Sequence, residues 1–199
     1  MTMTTLRIGH GYDIHKFALP PENQDAQDVI DIGFDKNNKL FLKIKQKDNS
    51  KPLYLGGILI ENHCGTVAHS DGDVVLHSLT DALLGAAGLD DIGTLFPDNI
   101  ESTKNISSVF MLQEAHRMIQ NKGYCIINID ITVITQTPKI KAYKAQMTLA
   151  ISKALKNIPQ SCINIKGKTK EGMDSVGRGE AIECFSVCLI DKNNNKIIE

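Results

Sequence analysis

Apolar and polar residues alternate along five stretches of the chain, a pattern typical of strands that bury one face. The stretches are 6–15, 53–60, 125–134, 162–168 and 181–190. Two of them place an apolar row on one face, formed by Ile127, Ile129, Ile131 and Val133, and by Ile182, Cys184, Ser186 and Cys188. We therefore predict strands at these positions.

Apolar residues at helical spacing predict three helices, at about 73–87, 106–122 and 141–156. In the first helix the buried stripe is formed by Leu76, Leu79 and Leu83, and Gly85 and Gly88 mark its end. Ser70 is its predicted N-cap, with Asp73 three residues on, as in a capping box. Gly123 is expected to stop the second helix.

This order of elements predicts an α+β fold in which a mixed β-sheet carries helices on one face. The face of such a sheet that carries no helices must be buried by other protein. The apolar rows at 127–133 and 182–190 suggest that another subunit buries it, which predicts an oligomer.

The length of 199 residues, with 42% hydrophobic and 23% charged residues, predicts one domain over 1–199. The polar, proline-bounded stretch at about 18–52 is predicted to be a surface insertion. Within it Leu40, Leu42 and Ile44 could belong to a hairpin.

Net charge and hydropathy argue against two classes of partner. A formal charge of −1 gives no basic field for nucleic acid. No apolar run approaches the ~20 residues that span a bilayer, and the N-terminus lacks a signal-peptide pattern. The five cysteines form no CxxC pair, which favours reduced thiols in an intracellular protein.

Asp13 and His15 point to the same face of the first predicted strand, with Ile14 expected to face the core. Together with His77 they form a ligand set that suits zinc and leaves a fourth position open. The pattern is weak alone, and satisfied polar residues are the alternative. Asp73 and Asp81 lie one helical turn either side of His77 and could orient it, unless Asp73 only caps the helix and Asp81 is solvated.

Three further segments could carry anion or metal chemistry. His69 precedes a helix N-terminus, which favours anions. The cluster at 90–98 offers three carboxylates, or is simply a polar turn. The block at 166–180 is rich in Lys, Thr and Gly and suits phosphate, or is a solvated basic loop; it lacks the spacing of a Walker A loop.

Four segments together resemble the 2-C-methyl-D-erythritol 2,4-cyclodiphosphate synthase family of the non-mevalonate isoprenoid pathway. They are RIGHGYDIHKF (7–17), AHSDGDVVLHSLTDALLGAAGLDDIGTLFPD (68–98), NIDITVITQTPKI (128–140) and KTKEGMDSVGRGEAI (168–182). Outside the insertion they cover most of the chain. The second is long enough to be highly specific.

The resemblance implies a homotrimeric lyase whose sheets pack around a three-fold axis, with active sites between subunits. It implies that Asp13, His15 and His77 hold Zn²⁺. The implied substrate is a cytidine diphosphate ester of methylerythritol that carries a 2-phosphate, and the products are the cyclic diphosphate and CMP. The positions that match the methylerythritol phosphate site are Asp91 and the region of His69 and Ser70. Asp98 matches a residue on the substrate-binding side of the same loop.

The resemblance also implies a cytidine and diphosphate site. The cytidine-facing segment matches Thr135, Gln136, Thr137, Pro138, Lys139 and Ile140, and Lys139 would meet the phosphates. Lys168, Thr169 and Glu171 match residues that hold the diphosphate and the bridging Mg²⁺ or Mn²⁺. Arg178 matches the arginine of the trimer axis and is counted among the substrate-binding residues. Of all these, Asp91, Lys139, Thr169 and Glu171 are expected to be catalytic.

Three positions depart from the family pattern. Lys168 stands where a second Thr or Ser is usual, and Asp174-Ser175 replaces a glycine–aromatic step, which argues against an apolar ligand on the axis. The insertion is much longer than the usual turn. Its Asn/Lys/Asp bias resembles apicomplexan inserts and suggests the stroma of a plastid (apicoplast), with bacterial cytoplasm as the alternative.

Two other classes use some of the same residues. A metal-dependent phosphohydrolase would use water as the nucleophile and release inorganic phosphate. A non-catalytic trimeric nucleotide-binding module would keep the cytidine segment without metals, which the presence of Asp13, His15, His77 and Glu171 argues against.

Overall fold

The computed structural model describes residues 5–18, 30–34, 40–44, 52–97 and 106–192. Its main sheet has four strands in the order β1 (Arg7–Lys16), β8 (Ala181–Lys192), β6 (Tyr124–Ile134) and β7 (Ile163–Lys168). β8 runs antiparallel to both of its neighbours, whereas β6 and β7 are parallel. The mixed sheet of the predicted α+β fold is thus confirmed, with β1 and β7 at its two edges.

The helices are α1 (Val74–Ala86), α2 (Ile92–Leu95), α3 (Ser108–Asn121), α4 (Lys144–Ala154) and α5 (Asp174–Gly177). α1 packs on β1 and β8, α3 on α1 and β6, and α4 on β7. The three helices predicted from periodicity are therefore present. The predicted cap is wrong, because Asp73 rather than Ser70 is the N-cap of α1 and accepts the backbone N–H groups of Val75 and Leu76.

α1 lies unusually close to β1, since two glycines of the strand face it. A Cβ at Gly9 would lie 1.8 Å from the carbonyl oxygen of Ala82, and one at Gly11 would lie 1.9 Å from that of Ser78. Only glycine permits this approach. The contact brings the middle of α1 directly over the end of β1 that carries Asp13 and His15.

The two faces of the sheet differ in what covers them. The predicted apolar rows are buried under the helices of the same chain. Their buried residues are Ile129, Ile131, Val133, Ile182, Cys184, Ser186 and Cys188. The prediction that another subunit covers these rows is therefore wrong. The opposite face exposes Ile8 (71% exposed), Tyr12 (42%) and Ile14 (44%). Ile14 does not face the core, because β1 turns its glycines and its Asp13 and His15 side chains towards α1.

Two local features depart from simple alternation. A register shift between Ile126 and Asn128 leaves Ile127 out of the buried row, and Ile127 is exposed. The predicted strand at 53–60 is a tight hairpin of β4 (Tyr54–Leu55) and β5 (Ile58–Leu59). Gly56 and Gly57 both have positive φ and make its turn.

The predicted hairpin in the insertion is present: β2 (Ile30–Phe34) pairs antiparallel with β3 (Leu40–Ile44). The insertion is bounded by two core residues, Phe17 and Leu53, which are both fully buried. Within the described part of the chain, no helix has the length and apolar character that crossing a membrane requires.

Candidate functional site

Asp13 and His15 on β1 meet His77 of α1 at one point. The Oδ2 atom of Asp13 lies 2.9 Å from Nδ1 of His77 and 3.2 Å from Nε2 of His15. The two imidazole nitrogens are 3.1 Å apart. The three donor atoms lie within 4.8 Å of one another, so they could hold one metal ion. The predicted convergence of these residues is confirmed.

The position of His77 follows from how α1 begins. The Asp73 carboxylate accepts the backbone N–H groups of Gly56 and Gly57 at 2.9 and 2.7 Å, in addition to two at the start of α1. One buried side chain therefore joins the β4–β5 turn to the helix that carries His77. Asp73 caps α1, and Asp81 accepts the N–H of Ile92 at 2.8 Å. Neither side chain bonds to His77, so the predicted orienting role for both is wrong.

Two serines bond to His77 in their place. Nε2 of His77 lies 2.8 Å from Oγ of Ser108 and 3.1 Å from Oγ of Ser70. Ser108 in turn bonds to the carboxylate of Asp71, which also accepts its backbone N–H at 2.9 Å. Sequence reasoning missed Ser108 and Asp71 because Ser108 begins α3, 31 residues after His77 in the chain.

Asp13 and His77 shift each other's pKa values. Burial raises the pKa of Asp13, but the hydrogen bond with His77 and the positive charges of His15 and His77 outweigh it and lower the pKa below its ordinary value. Burial lowers the pKa of His77, but Asp13 outweighs it and raises the pKa. Asp13 is therefore ionised at neutral pH and available to a cation.

Asp13, His15 and His77 line a pocket of about 190 Å³. His69 and Ser70, for which the resemblance implies a place near the substrate, also line it, together with Ile92, Gly93, Phe96 and Met111. Asp91 lies beside the pocket as the N-cap of α2, where its carboxylate accepts the N–H of Thr94 at 2.8 Å. This bond lowers the pKa of Asp91. Asp98 lies outside the described residues.

A second pocket, of about 670 Å³, lies at the β7 edge of the sheet. Its lining includes the predicted residues Thr135, Pro138, Lys139, Ile140, Lys168, Thr169 and Glu171. Lys141 and Lys144 line it as well and were not predicted. Four ammonium groups and one carboxylate therefore surround a space that suits a polyanion.

The loops around this second pocket are held by one local hydrogen bond and by contacts with distant segments of the chain. Oγ1 of Thr169 donates to the carboxylate of Glu171 at 2.6 Å, and Glu171 has a positive φ of 52°. The Gln136 amide donates to the carbonyl of Gly177 at 2.9 Å. Thr137 precedes a cis peptide bond to Pro138, and its hydroxyl lies 3.1 Å from Nε2 of His63.

Arg178 does not line either pocket. Its guanidinium pairs with the carboxylate of Glu180 at 2.7 Å, at the C-terminal end of α5. Asp174, at the position where the family pattern has glycine, has a positive φ of 57°. Its carboxylate accepts the N–H groups of Val176 and Gly177, which makes a non-glycine residue tolerable there.

Comparison with known proteins covers nearly the whole chain. Residues 6–191 match the model of the YgbB family. A 2-C-methyl-D-erythritol 2,4-cyclodiphosphate synthase of Haemophilus ducreyi is 44% identical over 187 residues, which are 94% of this chain and 98% of that protein. The apicoplast enzyme of the same name from Plasmodium falciparum is also 44% identical, over 95% of this chain and 74% of its own length.

Among solved structures, a CDP complex of IspF from Plasmodium falciparum superposes with a TM-score of 0.71 at 37% sequence identity. The match covers 97% of this chain and all of that one. The fold, the cluster of Asp13, His15 and His77, and these relatives agree, and the chain belongs to the YgbB family of 2-C-methyl-D-erythritol 2,4-cyclodiphosphate synthases.

Proposed function

We propose that this chain converts 4-diphosphocytidyl-2-C-methyl-D-erythritol 2-phosphate to 2-C-methyl-D-erythritol 2,4-cyclodiphosphate and CMP, as a step of isoprenoid precursor synthesis. The observation that carries the proposal is the cluster of Asp13, His15 and His77 in a chain of this family. The lysine-lined pocket at the β7 edge supports it, because the substrate carries three phosphates and a cytidine.

The donor set of the first pocket fits zinc, since two imidazoles and one carboxylate are ligands that zinc prefers and three protein ligands leave one position open. When bound there, the ion would supply positive charge that polarises a phosphate oxygen. Glu171 and the phosphates of the substrate would offer the oxygen ligands that Mg²⁺ or Mn²⁺ prefers.

The chain's own residues would act by binding and aligning the substrate. In the reaction, an oxygen of the 2-phosphate attacks the β-phosphorus, the bond from that phosphorus to the bridging oxygen breaks, and CMP leaves with that oxygen. A phosphate nucleophile is already ionised, so no general base is required. Lys139 and Lys168 would neutralise charge on the diphosphate, and the hydrogen bond from Thr169 would orient Glu171.

The two pockets lie at opposite edges of the sheet within one chain. Asp13 and His15 are on the edge strand β1, while Lys168 is the last residue of the edge strand β7. Three strand spacings separate these edges, or about 14 Å. A diphosphate that must reach both pockets would therefore bridge two copies of the chain.

A homotrimer would satisfy this requirement and would also cover the exposed apolar face around Ile8, Tyr12 and Ile14. We propose that these open faces pack around a three-fold axis, where a buried apolar surface stabilises the assembly. Sedimentation at micromolar concentration should give a species with the mass of three chains. A monomer would exclude the shared active site.

Product analysis tests the proposed reaction directly. Mass spectrometry after incubation with the cytidylyl methylerythritol phosphate substrate should show the cyclic diphosphate and CMP in equal amounts. Release of inorganic phosphate without CMP would favour the phosphohydrolase instead. Tight binding of CDP without any product would favour the non-catalytic module.

A further inference from the structure

The cluster of Asp13, His15 and His77 is connected to the start of α3 by a chain of hydrogen bonds that the family resemblance did not predict. Oγ of Ser108 lies 2.8 Å from Nε2 of His77, on the side of the ring opposite the proposed metal position. Ser108 is fully buried and His77 is 8% exposed. The carboxylate of Asp71 holds both the hydroxyl and the backbone N–H of Ser108.

The direction of these hydrogen bonds follows from the chemistry of the groups. An ionised carboxylate only accepts, so both contacts from Ser108 to Asp71 must be donated by Ser108. A serine hydroxyl has one proton, and that proton is directed to Asp71. Oγ of Ser108 can therefore only accept from the imidazole of His77, which requires a proton on Nε2.

In the metal-bound form, where the ring must be neutral, a proton on Nε2 would leave the lone pair on Nδ1, and the ion would replace the proton through which Nδ1 bonds to Asp13 in the metal-free protein. Nδ1 is the atom that faces Oδ2 of Asp13 at 2.9 Å and Nε2 of His15 at 3.1 Å. Oγ of Ser70 lies 3.1 Å from the same Nε2 and accepts the N–H of Gly72 at 3.2 Å. The Ser70 hydroxyl can still donate or accept at Nε2, so this contact is compatible with either tautomer. The contact with Ser108, whose single hydroxyl proton is donated to Asp71, is therefore the one that favours a proton on Nε2.

We propose that Asp71 and Ser108 are positioning residues that fix the Nδ1-ligating tautomer and the ring orientation of His77, and so set the affinity of the metal site. The proposal rests on the metal site described under the proposed function. Such outer hydrogen bonds orient metal-ligating histidines, and their loss weakens metal binding on the order of 10- to 100-fold.

A purely structural explanation exists and predicts a different outcome. Ser107, the N-cap of α3, makes no side-chain cap bond, so Asp71 could serve only as the acceptor for the first N–H of α3. In that case Ser108→Ala would leave metal affinity unchanged, because it keeps the backbone N–H. Asp71→Asn would also leave it unchanged, because the amide oxygen still accepts.

The positioning role predicts that both variants bind zinc 10- to 100-fold more weakly in competition with a chromophoric chelator. In Asp71→Asn the amide N–H₂ can donate to Oγ of Ser108, which turns the hydroxyl proton towards His77. Ser152→Ala is the matched control, since Ser152 is a buried helical serine that donates to the carbonyl of Ile158 at 2.6 Å, away from the metal cluster. It should bind zinc like the wild type whatever stability it loses.

The tautomer itself is measured by ¹⁵N NMR of the zinc-loaded wild type, which does not depend on any variant folding. The expected spectrum of His77 has a proton on Nε2 and a metal-shifted Nδ1. A proton on Nδ1, or a Ser108→Ala variant with zinc affinity within twofold of the wild type, would overturn the proposal. A wild type that does not bind zinc would instead overturn the metal site, and this proposal with it.

Discussion

The pocket of Asp13, His15 and His77 and the lysine-lined pocket are built in opposite ways. In the first, Asp13, His15 and His77 bond to one another, and Ser70 and Ser108 hold the far side of the ring. In the second, the ammonium groups of Lys139, Lys141, Lys144 and Lys168 form no ion pair with any other described residue.

This contrast separates two ways of recognising a charged ligand. The first pocket is preorganised, so that the proposed metal ion would meet ligands already in place, and little free energy would be lost to ordering them. The second pocket concentrates positive charge on flexible side chains, which would attract the proposed polyanion over a distance and adapt to it. Substitutions in the first pocket should therefore abolish function, whereas single substitutions of Lys141 or Lys144 in the second should only weaken binding.

The largest expected effect is that of His77→Ala. Two ligands are too few for a stable tetrahedral site, so the variant should lose its zinc and its turnover should fall about 10³-fold or more. Elemental analysis and a CMP-release assay measure the two quantities. One zinc per subunit in this variant would contradict the ligand assignment.

Glu171→Gln should have the next largest effect, since it removes one charge from the second pocket and keeps the size of the side chain. We expect kcat to fall on the order of 10²-fold with a smaller change in substrate affinity, while zinc content and assembly stay normal. Raising Mg²⁺ or Mn²⁺ should restore part of the rate. Wild-type turnover with an unchanged magnesium dependence would remove Glu171 from the mechanism.

Co-expression of the two inactive variants tests whether the pockets act together across subunits. Suppose that each active site takes its metal pocket from one chain and its lysine pocket from another. When His77→Ala and Glu171→Gln chains mix at random in equal amounts, each half is intact in about half of the sites, and both halves are intact in about a quarter of them. Activity should then return to that fraction of the wild type. Mixtures that stay inactive would place both halves in the same chain.

Lys141→Ala and Lys144→Ala should have smaller effects, because exposed charge pairs contribute little individually. We expect each to raise KM or the Kd for CDP about two- to fivefold at low salt, with kcat unchanged and with a weaker dependence on ionic strength. Lys153→Ala is the matched control, since Lys153 is exposed on α4 and does not line the pocket. An equal change in the control would assign the effect to net charge.

The smallest effect is expected from shortening the insertion. Phe17 and Leu53 anchor its two ends in the core, and the N–H of Ala18 donates to the carbonyl of Gly65 at 2.8 Å. Replacing about 22–50 by a short Gly-containing turn should keep folding, zinc content and turnover within about twofold, because loop length changes closure entropy slowly. Insoluble protein or lost zinc would show that the insertion belongs to the domain.

The positions of the strands and helices could be predicted from the sequence, but not what packs against each strand face. The alternation of β6 and β8 located two strands and their buried rows, but not whether a helix or another subunit covers them, because alternation shows only that one face is buried. Ile14 was expected to face the core but is exposed, because the pattern did not show which face of β1 is buried. The close approach of α1 to Gly9 and Gly11 decides which side of β1 is inside, and that is a tertiary contact.

For the site, the D-x-H spacing brought Asp13 and His15 together, but only the family resemblance added His77 with any force. Ser108 and Asp71 could not be predicted, because hydrogen bonds between distant segments leave no local pattern. The plastid location stays a prediction, since the bacterial and apicoplast relatives are each 44% identical to this chain.

Gly9 and Gly11 limit which substitutions this chain can accept. No side chain lies between α1 and the backbone of β1 at Gly9 and Gly11. Backbone contact there fixes the distance between the side chains of Asp13 and His77 and leaves no room for a methyl group. A single alanine at either glycine would displace the helix and part the ligands without altering any of them. The geometry of the proposed metal site therefore depends on two positions that carry no functional group.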